Sequence, residues 1–311
     1  MGRGAHPHLR WYSWKRVTDS LSEKQSAALG SLLAAVGLTA IKIVVGLWTG
    51  SLGILAEAAH SGLDLVAAGL TFLAVRLSGR PADREHLYGH GKVENLSALA
   101  ETLLLLLTCA WVVREAAHRL RFHRAAIEVT VWSLAVMLIS IVINISRSRV
   151  LSRIARKYHS QALEADALHF QTDVWSSAVV IVGLVAVKTG LWWGDAVAAL
   201  GVSAVVVWVS VRLGRRTVDA LLDTAPVGME QRIARAVETV DGVRDCHHVR
   251  LRYSGPVLFI DLHVLVDGAQ TLAEAHRLTE TIEATIQQIA PQADVTVHPE
   301  PFEGNPAEPR A

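Results

Sequence analysis

Apolar positions along the first two-thirds of the chain gather into six long runs, at 27–47, 52–77, 95–117, 126–145, 162–187 and 192–213. A helix of about 20 apolar residues crosses the roughly 30 Å hydrocarbon layer of a bilayer, so the pattern predicts six transmembrane helices. An even number of spans puts both termini on the same side. Basic residues choose that side, because Lys and Arg are retained in cytoplasmic loops. They crowd into the amino-terminal tail (1–26), the second connection (Arg76, Arg80, Arg84, Lys92) and the fourth (Arg147, Arg149, Arg153, Arg156, Lys157), which predicts cytoplasmic termini. The third connection, with Arg114, Arg119, Arg121 and Arg124, runs against the rule.

Beyond residue 213 the pattern changes to that of a water-soluble domain. Helical periodicity at 228–240 precedes two alternating segments, 243–253 and 256–266, joined by a Ser254-Gly255 turn. A second amphipathic helix at 272–289 and a last strand at 293–298 complete an α-β-β-α-β order, a small α+β layer. The expected organisation is thus a basic tail (1–26), a six-helix membrane domain (27–213), an α+β domain (214–300) and a proline-rich disordered tail (301–311).

Two interruptions of the apolar runs matter most. Glu57, His60 and Asp64 fall inside the second run, and Asp166, His169 and Asp173 repeat the same spacing inside the fifth. Offsets of three and four residues share one helix face. Each such group costs about 2.5–3.5 kcal/mol at mid-membrane on insertion scales, which makes a duplicated set a functional site by default. Asp64 lies about twelve residues into its span and Asp173 about eleven into its own, so at about 1.5 Å per residue both sit about 17 Å from an end. The second and fifth spans run antiparallel, which lets the two His-Asp pairs face each other at one depth.

Two imidazoles and two carboxylates suit a tetrahedral divalent ion, zinc first, whereas hard oxygen-only sets favour magnesium or calcium. Cobalt, cadmium, iron and manganese share part of this chemistry. A metal and protons compete for the same ring nitrogens, a natural basis for coupling their opposite movement. Glu57 and Asp166, one turn before each histidine, are placed to support the ligands or line their access path, although a plain interhelical polar contact serves either equally well.

Composition agrees with this picture. The chain of 311 residues is 51% hydrophobic and only 19% charged, too apolar for an ordinary soluble protein. A net charge of +1 provides no basic field for nucleic acid. Two cysteines, Cys109 and Cys246, lie too far apart in pattern to suggest a disulfide framework, and Cys246 reads as a structural thiol.

Three motifs in this order, AHSGLD (59–64), PADREHLYGHGKVE (81–94) and ADALHFQTDVW (165–175), resemble the cation diffusion facilitator family across 31–300. The resemblance implies a homodimeric divalent metal/proton antiporter of the cell membrane, most simply the bacterial inner membrane, exporting metal from the cytoplasm. It implies a cytoplasmic ferredoxin-like, metallochaperone-like C-terminal domain. It assigns the transport ligands to His60, Asp64, His169 and Asp173, and the His-containing set resembles the zinc-preferring branches. It matches Asp83, His86 and His90 to a loop metal site, where Gly89 and Gly91 permit a tight backbone.

Within the soluble domain it matches His247, His263, His276, His298 and Glu300 to metal sites, with zinc there as a regulatory ligand; Glu300 stands where Asp is common. Strict strand alternation instead favours His248 over its neighbour His247 as the outward residue, while spacing to His263 favours His247. The resemblance also pairs Lys92 with Asp223 as an interlock.

Other classes fit less well. A membrane metallohydrolase needs an open coordination position and a general base, and the chain has no HExxH pattern. A haem-binding electron carrier could use His60 and His169 as axial ligands, but the paired aspartates would then have no role. The expected activity is transport, not enzymatic conversion.

Overall fold

The computed structural model describes the backbone of residues 7–50, 52–122, 131–188, 194–255, 257–291 and 293–302, with side chains for most of these from Leu21 onward. The chain divides into two compact units, Met1–Val218 and Asp219–Ala311.

Helices make up the first unit: α1 (Pro7–Thr49), α2 (Leu52–Ser78), α3 (Val93–Phe122), α4 (Val131–Tyr158), α5 (Gln161–Lys188) and α6 (Gly194–Leu221). Among the described residues, Leu21–Thr49, Ala58–Ser78, Val93–His118 and Ala135–Tyr158 are long and apolar enough to cross a membrane. Much of the carboxy-terminal half of α5 and the start of α6 have side chains outside the described set. Helix α1 packs chiefly on α2, and α4 on α5, with α2 and α5 also in contact.

The interior is built from small residues and the exterior from large ones. Ala27, Ala28, Ala35, Ala68, Ala155, Ala162 and Ala167 are buried around Phe170 and Leu163, while Leu33, Val44, Trp48, Leu63, Leu107 and Val142 are all more than half exposed. Lipid tails are as apolar as leucine, so there is no gain in hiding large side chains. Close backbone approach between helices supplies the attraction instead.

The helices overrun the runs that predicted them. Arg147, Arg149, Arg153, Arg156 and Lys157, expected in a loop, lie on α4, and only His159 and Ser160 separate α4 from α5. Ser160 caps α5: its carbonyl accepts from the Glu164 amide at 3.1 Å and its hydroxyl from the Leu163 amide at 3.4 Å. Arginine is a good helix former, and cations are favoured near a helix carboxy-terminus, so the basic stretch extends the helix. Arg114, Arg119 and Arg121 likewise belong to α3 rather than to a connection, and the expected tail is helical from Pro7. Arg124 and 303–311 lie outside the described residues.

One carboxylate gathers four elements. Glu94, 3% exposed at the start of α3, accepts from Lys24 of α1, from Ser78 of α2 at 2.7 Å, and from the α5 cap Ser160. A buried charge of either sign is tolerated here because it is paired and hydrogen-bonded.

The second unit follows the order α7 (Met229–Glu238), β1 (Val243–Ser254), β2 (Val257–Asp267), α8 (Leu272–Ile289), β3 (Ala293–Phe302). Its sheet order is β1-β2-β3, antiparallel between β1 and β2 and parallel between β2 and β3. Thr271 and Glu274 form a reciprocal capping box that starts α8. Leu258, Ile260, Leu262 and Val264 alternate along β2 onto the face covered by Ile233 and Val237 of α7 and Ile282 and Ile286 of α8. The other face of β2 carries Phe259, Asp261, His263 and Leu265.

The packing of the first unit predicts opposite outcomes for two apolar changes. Ala68→Leu, in the buried α1–α2 contact, should cost about 1–3 kcal/mol through overpacking, whereas Leu63→Ala, on the lipid side, should be near neutral. Thermal unfolding of the detergent-purified chain measures both, and an equal loss for the two would contradict the small-inside arrangement.

Candidate metal centres

Antiparallel packing of α2 against α5 decides how the two intramembrane motifs meet. Ascending numbers on one helix run against descending numbers on the other, so the first ligand of each pair faces the second of its partner. His60 Nε2 lies 3.7 Å from Asp173 Oδ1, and His169 Nε2 lies 2.9 Å from Asp64 Oδ1. His60 Nε2 is also 3.9 Å from Asp64 Oδ1, one turn along its own helix. His60, Asp64 and Asp173 offer ligand atoms within 4.8 Å of one another, and His169 joins them through Asp64.

These spacings suit a small ion. Metal–ligand bonds of about 2.0–2.1 Å in a tetrahedron set ligand–ligand separations of about 3.3 Å, and the observed 2.9, 3.7 and 3.9 Å straddle that value. Asp173 Oδ2 is buried without a hydrogen-bond partner among the described residues, which leaves it a further acceptor at the site. The His60 side chain is 40% exposed and that of His169 is 7%.

Asp166 is fully buried one turn from His169 and accepts from Ser31 of α1 at 3.0 Å, outside the metal-competent group. Ser31 in turn accepts from Arg147 at 3.0 Å, and that guanidinium lies 3.5 Å from the centre of the Phe170 ring. The Glu57 side chain lies outside the described residues.

Several buried polar groups escaped the sequence reading. Lys42 of α1 is 4% exposed and donates to Ser61 of α2 at 2.7 Å. Glu101 of α3 is fully buried and accepts from Thr71 of α2 and from Ser97 at 3.2 Å. Arg147 belongs with them, since it turns inward from a stretch expected in solvent. The signal was available, because Lys42 is the one charge in the run 27–47 and Glu101 the one charge in 95–113.

In the connection between α2 and α3, Asp83 organises a compact loop. Its Oδ1 accepts from the Glu85 and His86 amides at 2.9 and 2.7 Å, and Gly89 takes a positive φ of 75° to close the turn. His86 Nδ1 and His90 Nε2 come within 3.4 and 3.3 Å of its two oxygens. The His86 and Glu85 amides and the two imidazoles hold the Asp83 carboxyl below the usual carboxylate range, so it stays an anion for a cation to find.

On the open face of the sheet, register rather than sequence proximity assembles a third group. His247 pairs with His263 across β1 and β2, and His263 with His298 across β2 and β3, so three imidazoles form a row. Glu300, two residues on from His298 and on the same face, accepts from His263 at 2.7 Å and lies 3.2 Å from His247. The hydrogen bond from His263 and the charge of nearby His247 hold Glu300 below its ordinary range.

A bulge between His247 and Arg250 breaks the strict alternation that favoured His248 alone as the outward residue. His248 adopts φ 49°, and its ring centre comes within 5.3 Å of that of His263, so both histidines reach the open face. Cys246 faces the core, and burial pushes its thiol up to about 11, which leaves it protonated and inert near neutrality.

His276 does not join these groups. It is exposed on α8, 3.8 Å from Glu280, and α8 packs on the face of the sheet opposite the histidine row. Asp223 has φ 60° and lies 3.7 Å from Arg252 within the second unit; Lys92 stands just ahead of α3 in the first.

Residues 28–222 match the cation efflux transmembrane domain, and residues 226–302 match the cation efflux protein cytoplasmic domain. The chain is 34% identical over 284 residues to the cation-efflux pump FieF of Pectobacterium atrosepticum, covering 88% of this chain and 94% of that protein. It is 36% identical over 284 residues to FieF of Serratia proteamaculans, covering 89% and 92%. A nickel form of a MamM CTD variant is 30% identical over 24% of this chain and 96% of that one, with a TM-score of 0.23. With both halves matched and the paired motifs converging between its helices, the chain belongs to the cation diffusion facilitator family, as an integral membrane protein of cation efflux.

Proposed function

We propose that this chain exports a divalent metal, zinc foremost, from the cytoplasm in exchange for protons, as a secondary transporter. The cargo is held by His60, Asp64, His169 and Asp173 between α2 and α5. The observation that carries this reading is the cross-pairing of two His-Asp sets at 2.9 and 3.7 Å on antiparallel helices. Imidazole and carboxylate together match zinc better than they match harder cations. Each ring nitrogen binds either a proton or the metal, so opening the site alternately to the two sides exchanges one for the other.

In this reading α1–α6 are six spans in a bacterial inner membrane with both termini cytoplasmic. The six apolar runs and the basic residues at the carboxy-terminal end of α4 support it. The second unit is a ferredoxin-like, metallochaperone-like cytoplasmic domain, supported by helices confined to one face of its sheet. Its His247, His248, His263, His298 and Glu300 bind zinc as a signal of cytoplasmic metal and draw two copies of the chain together. Asp83, His86 and His90 form a lesser site near the membrane surface. Lys92 and Asp223 act as an interlock between the halves.

Purified protein in liposomes, given a pH gradient and external zinc, tests the reading. Zinc flux with opposite proton flux is expected, and Asp64→Ala or Asp173→Ala should reduce it to the protein-free background. Undiminished flux in both variants would overturn the site. His60→Asp hardens the ligand set; it should keep zinc transport and raise manganese transport relative to zinc, measured as competition in the same vesicles. In a chain already carrying Asp64→Ala and Asp173→Ala, His263→Ala with Glu300→Ala should lower the zinc bound per chain, counted by elemental analysis after dialysis. An unchanged metal content would exclude the sheet face as a zinc site.

A further inference from the structure

Helix α3 carries two buried glutamates, Glu94 and Glu101, seven residues apart on one face, and their surroundings differ. Glu94 is compensated by the ammonium of Lys24, with the Ser78 and Ser160 hydroxyls beside it. Glu101 is 0% exposed and is met by hydroxyls alone among the described residues. Its Oε1 accepts from Thr71 of α2 and from Ser97 at 3.2 Å, and its Oε2 is buried without a partner. A carboxylate buried without a cation is costly, whereas the protonated acid carries no charge.

The ionisable neighbours of Glu101 come from α5, where Asp166 and His169 lie within electrostatic reach. Asp166 is also fully buried, with Oδ1 unpartnered; it accepts from Ser31 and lies within reach of Arg147. Helix α6 brings Leu213 against Ala98 and Gly214 against Thr102, and its Arg216 is paired with Glu164 at 2.7 Å. Arg147 acts on Asp64, Asp173 and Asp166, and Lys42 acts on Asp64. The cations of the interior are thus directed at the four-ligand site, at Asp166 and at Glu94, and none donates to Glu101 among the described residues.

Thr71, which holds Glu101, is seven residues from Asp64 and seven from Ser78, where α2 ends. Glu101 therefore lies about 10 Å from the ligands along α2, toward the end that faces the cytoplasm in the reading above. At that distance and an effective dielectric of about 20, a divalent ion favours loss of a proton from Glu101 by about a hundredfold.

We infer that Glu101 is a proton-binding site of the exchanger, separate from the metal ligands, which holds a proton while the α2–α5 site is empty and releases it when metal binds there. The O–H bond of the Glu101 carboxyl breaks, the carboxylate keeps the electron pair, and the proton passes to water on the cytoplasmic side. The proton is regained from the outer side once the metal has left. This role rests on the α2–α5 reading and gives the exchange a proton carrier that does not itself touch the cargo.

The test uses the full chain in lipid nanodiscs, carrying Asp83→Asn and His263→Ala so that zinc binding reports on the α2–α5 site. Titration calorimetry in buffers of different ionisation enthalpy gives the Kd and the number of protons released per zinc bound. Adding Glu101→Gln, which keeps the shape of the side chain but cannot ionise, is expected to lower that number by about one. The zinc Kd of the parent falls as pH rises, and in Glu101→Gln it falls less steeply. Glu101→Asp, which restores an acid, moves both readouts back toward the parent.

A merely structural Glu101 predicts a different result, in which Glu101→Gln weakens binding and leaves the proton count and the pH slope as they were. That result overturns the proposal, and so does a proton count that Glu101→Asp fails to restore. If Glu101→Gln does not fold, Glu101→Met is measured against the same outcomes. Zinc binding by the parent chain that survives Asp64→Asn overturns the transport-site reading itself, and the role of Glu101 with it. Binding lost in Asp64→Asn, with a proton count indifferent to Glu101, overturns only the latter.

Discussion

The cost of charge in an apolar interior governs the membrane unit. Among the described residues, charged groups drawn into it have partners from other helices: Lys24 with Glu94, Lys42 with Ser61, Arg147 with Ser31 and the Phe170 ring, His169 with Asp64. Those partnerships, more than apolar attraction, specify which helix sits beside which, because lipid offers no hydrophobic incentive to choose. Small residues let the backbones come close, and the polar contacts set the register. Removing one partner of such a pair leaves an uncompensated charge, which costs more than the pair itself contributes.

The α2–α5 site uses the same economy with one difference. His60, Asp64, His169 and Asp173 satisfy one another incompletely, since Asp173 Oδ2 has no partner among the described residues. An incompletely satisfied acid beside imidazoles is receptive to a cation or to protons, and the proposed exchange rests on that competition. Asp166 Oδ1 and Glu101 Oε2 share that condition among the described residues, so the unsatisfied acceptors extend from the site into its surroundings.

In the second unit the analogous choice is made by the sheet. The core face is filled by alternating Leu258, Ile260, Leu262 and Val264, which leaves His263 to the other face by parity alone. Parity failed on β1, where Cys246 and Leu251 both face inward although five positions apart. The bulge between His247 and Arg250 absorbs the odd residue and turns His247 toward His263, with His248 held at a positive φ beside it. A one-residue irregularity thereby converts two histidines of opposite expected face into neighbours.

The amino-acid sequence by itself determined the class of the protein, the presence of the paired motifs, and the strands and helices of the soluble unit, α8 to the residue. These depend on local periodicity and on the cost of burying charge, both of which are written into consecutive residues. Tertiary structure decided what consecutive residues cannot express. It showed that the basic stretch after 145 is helix and that Arg147 turns inward, because a partner 116 positions away awaits it. It cross-paired His60 with Asp173 and Asp64 with His169, a consequence of helix direction. It placed His276 across the sheet from the histidine row and brought Lys42 to Ser61, the neighbour of His60. Each of these rests on contacts between distant segments, where direction, register and a partner's charge count for more than the residue's own preference.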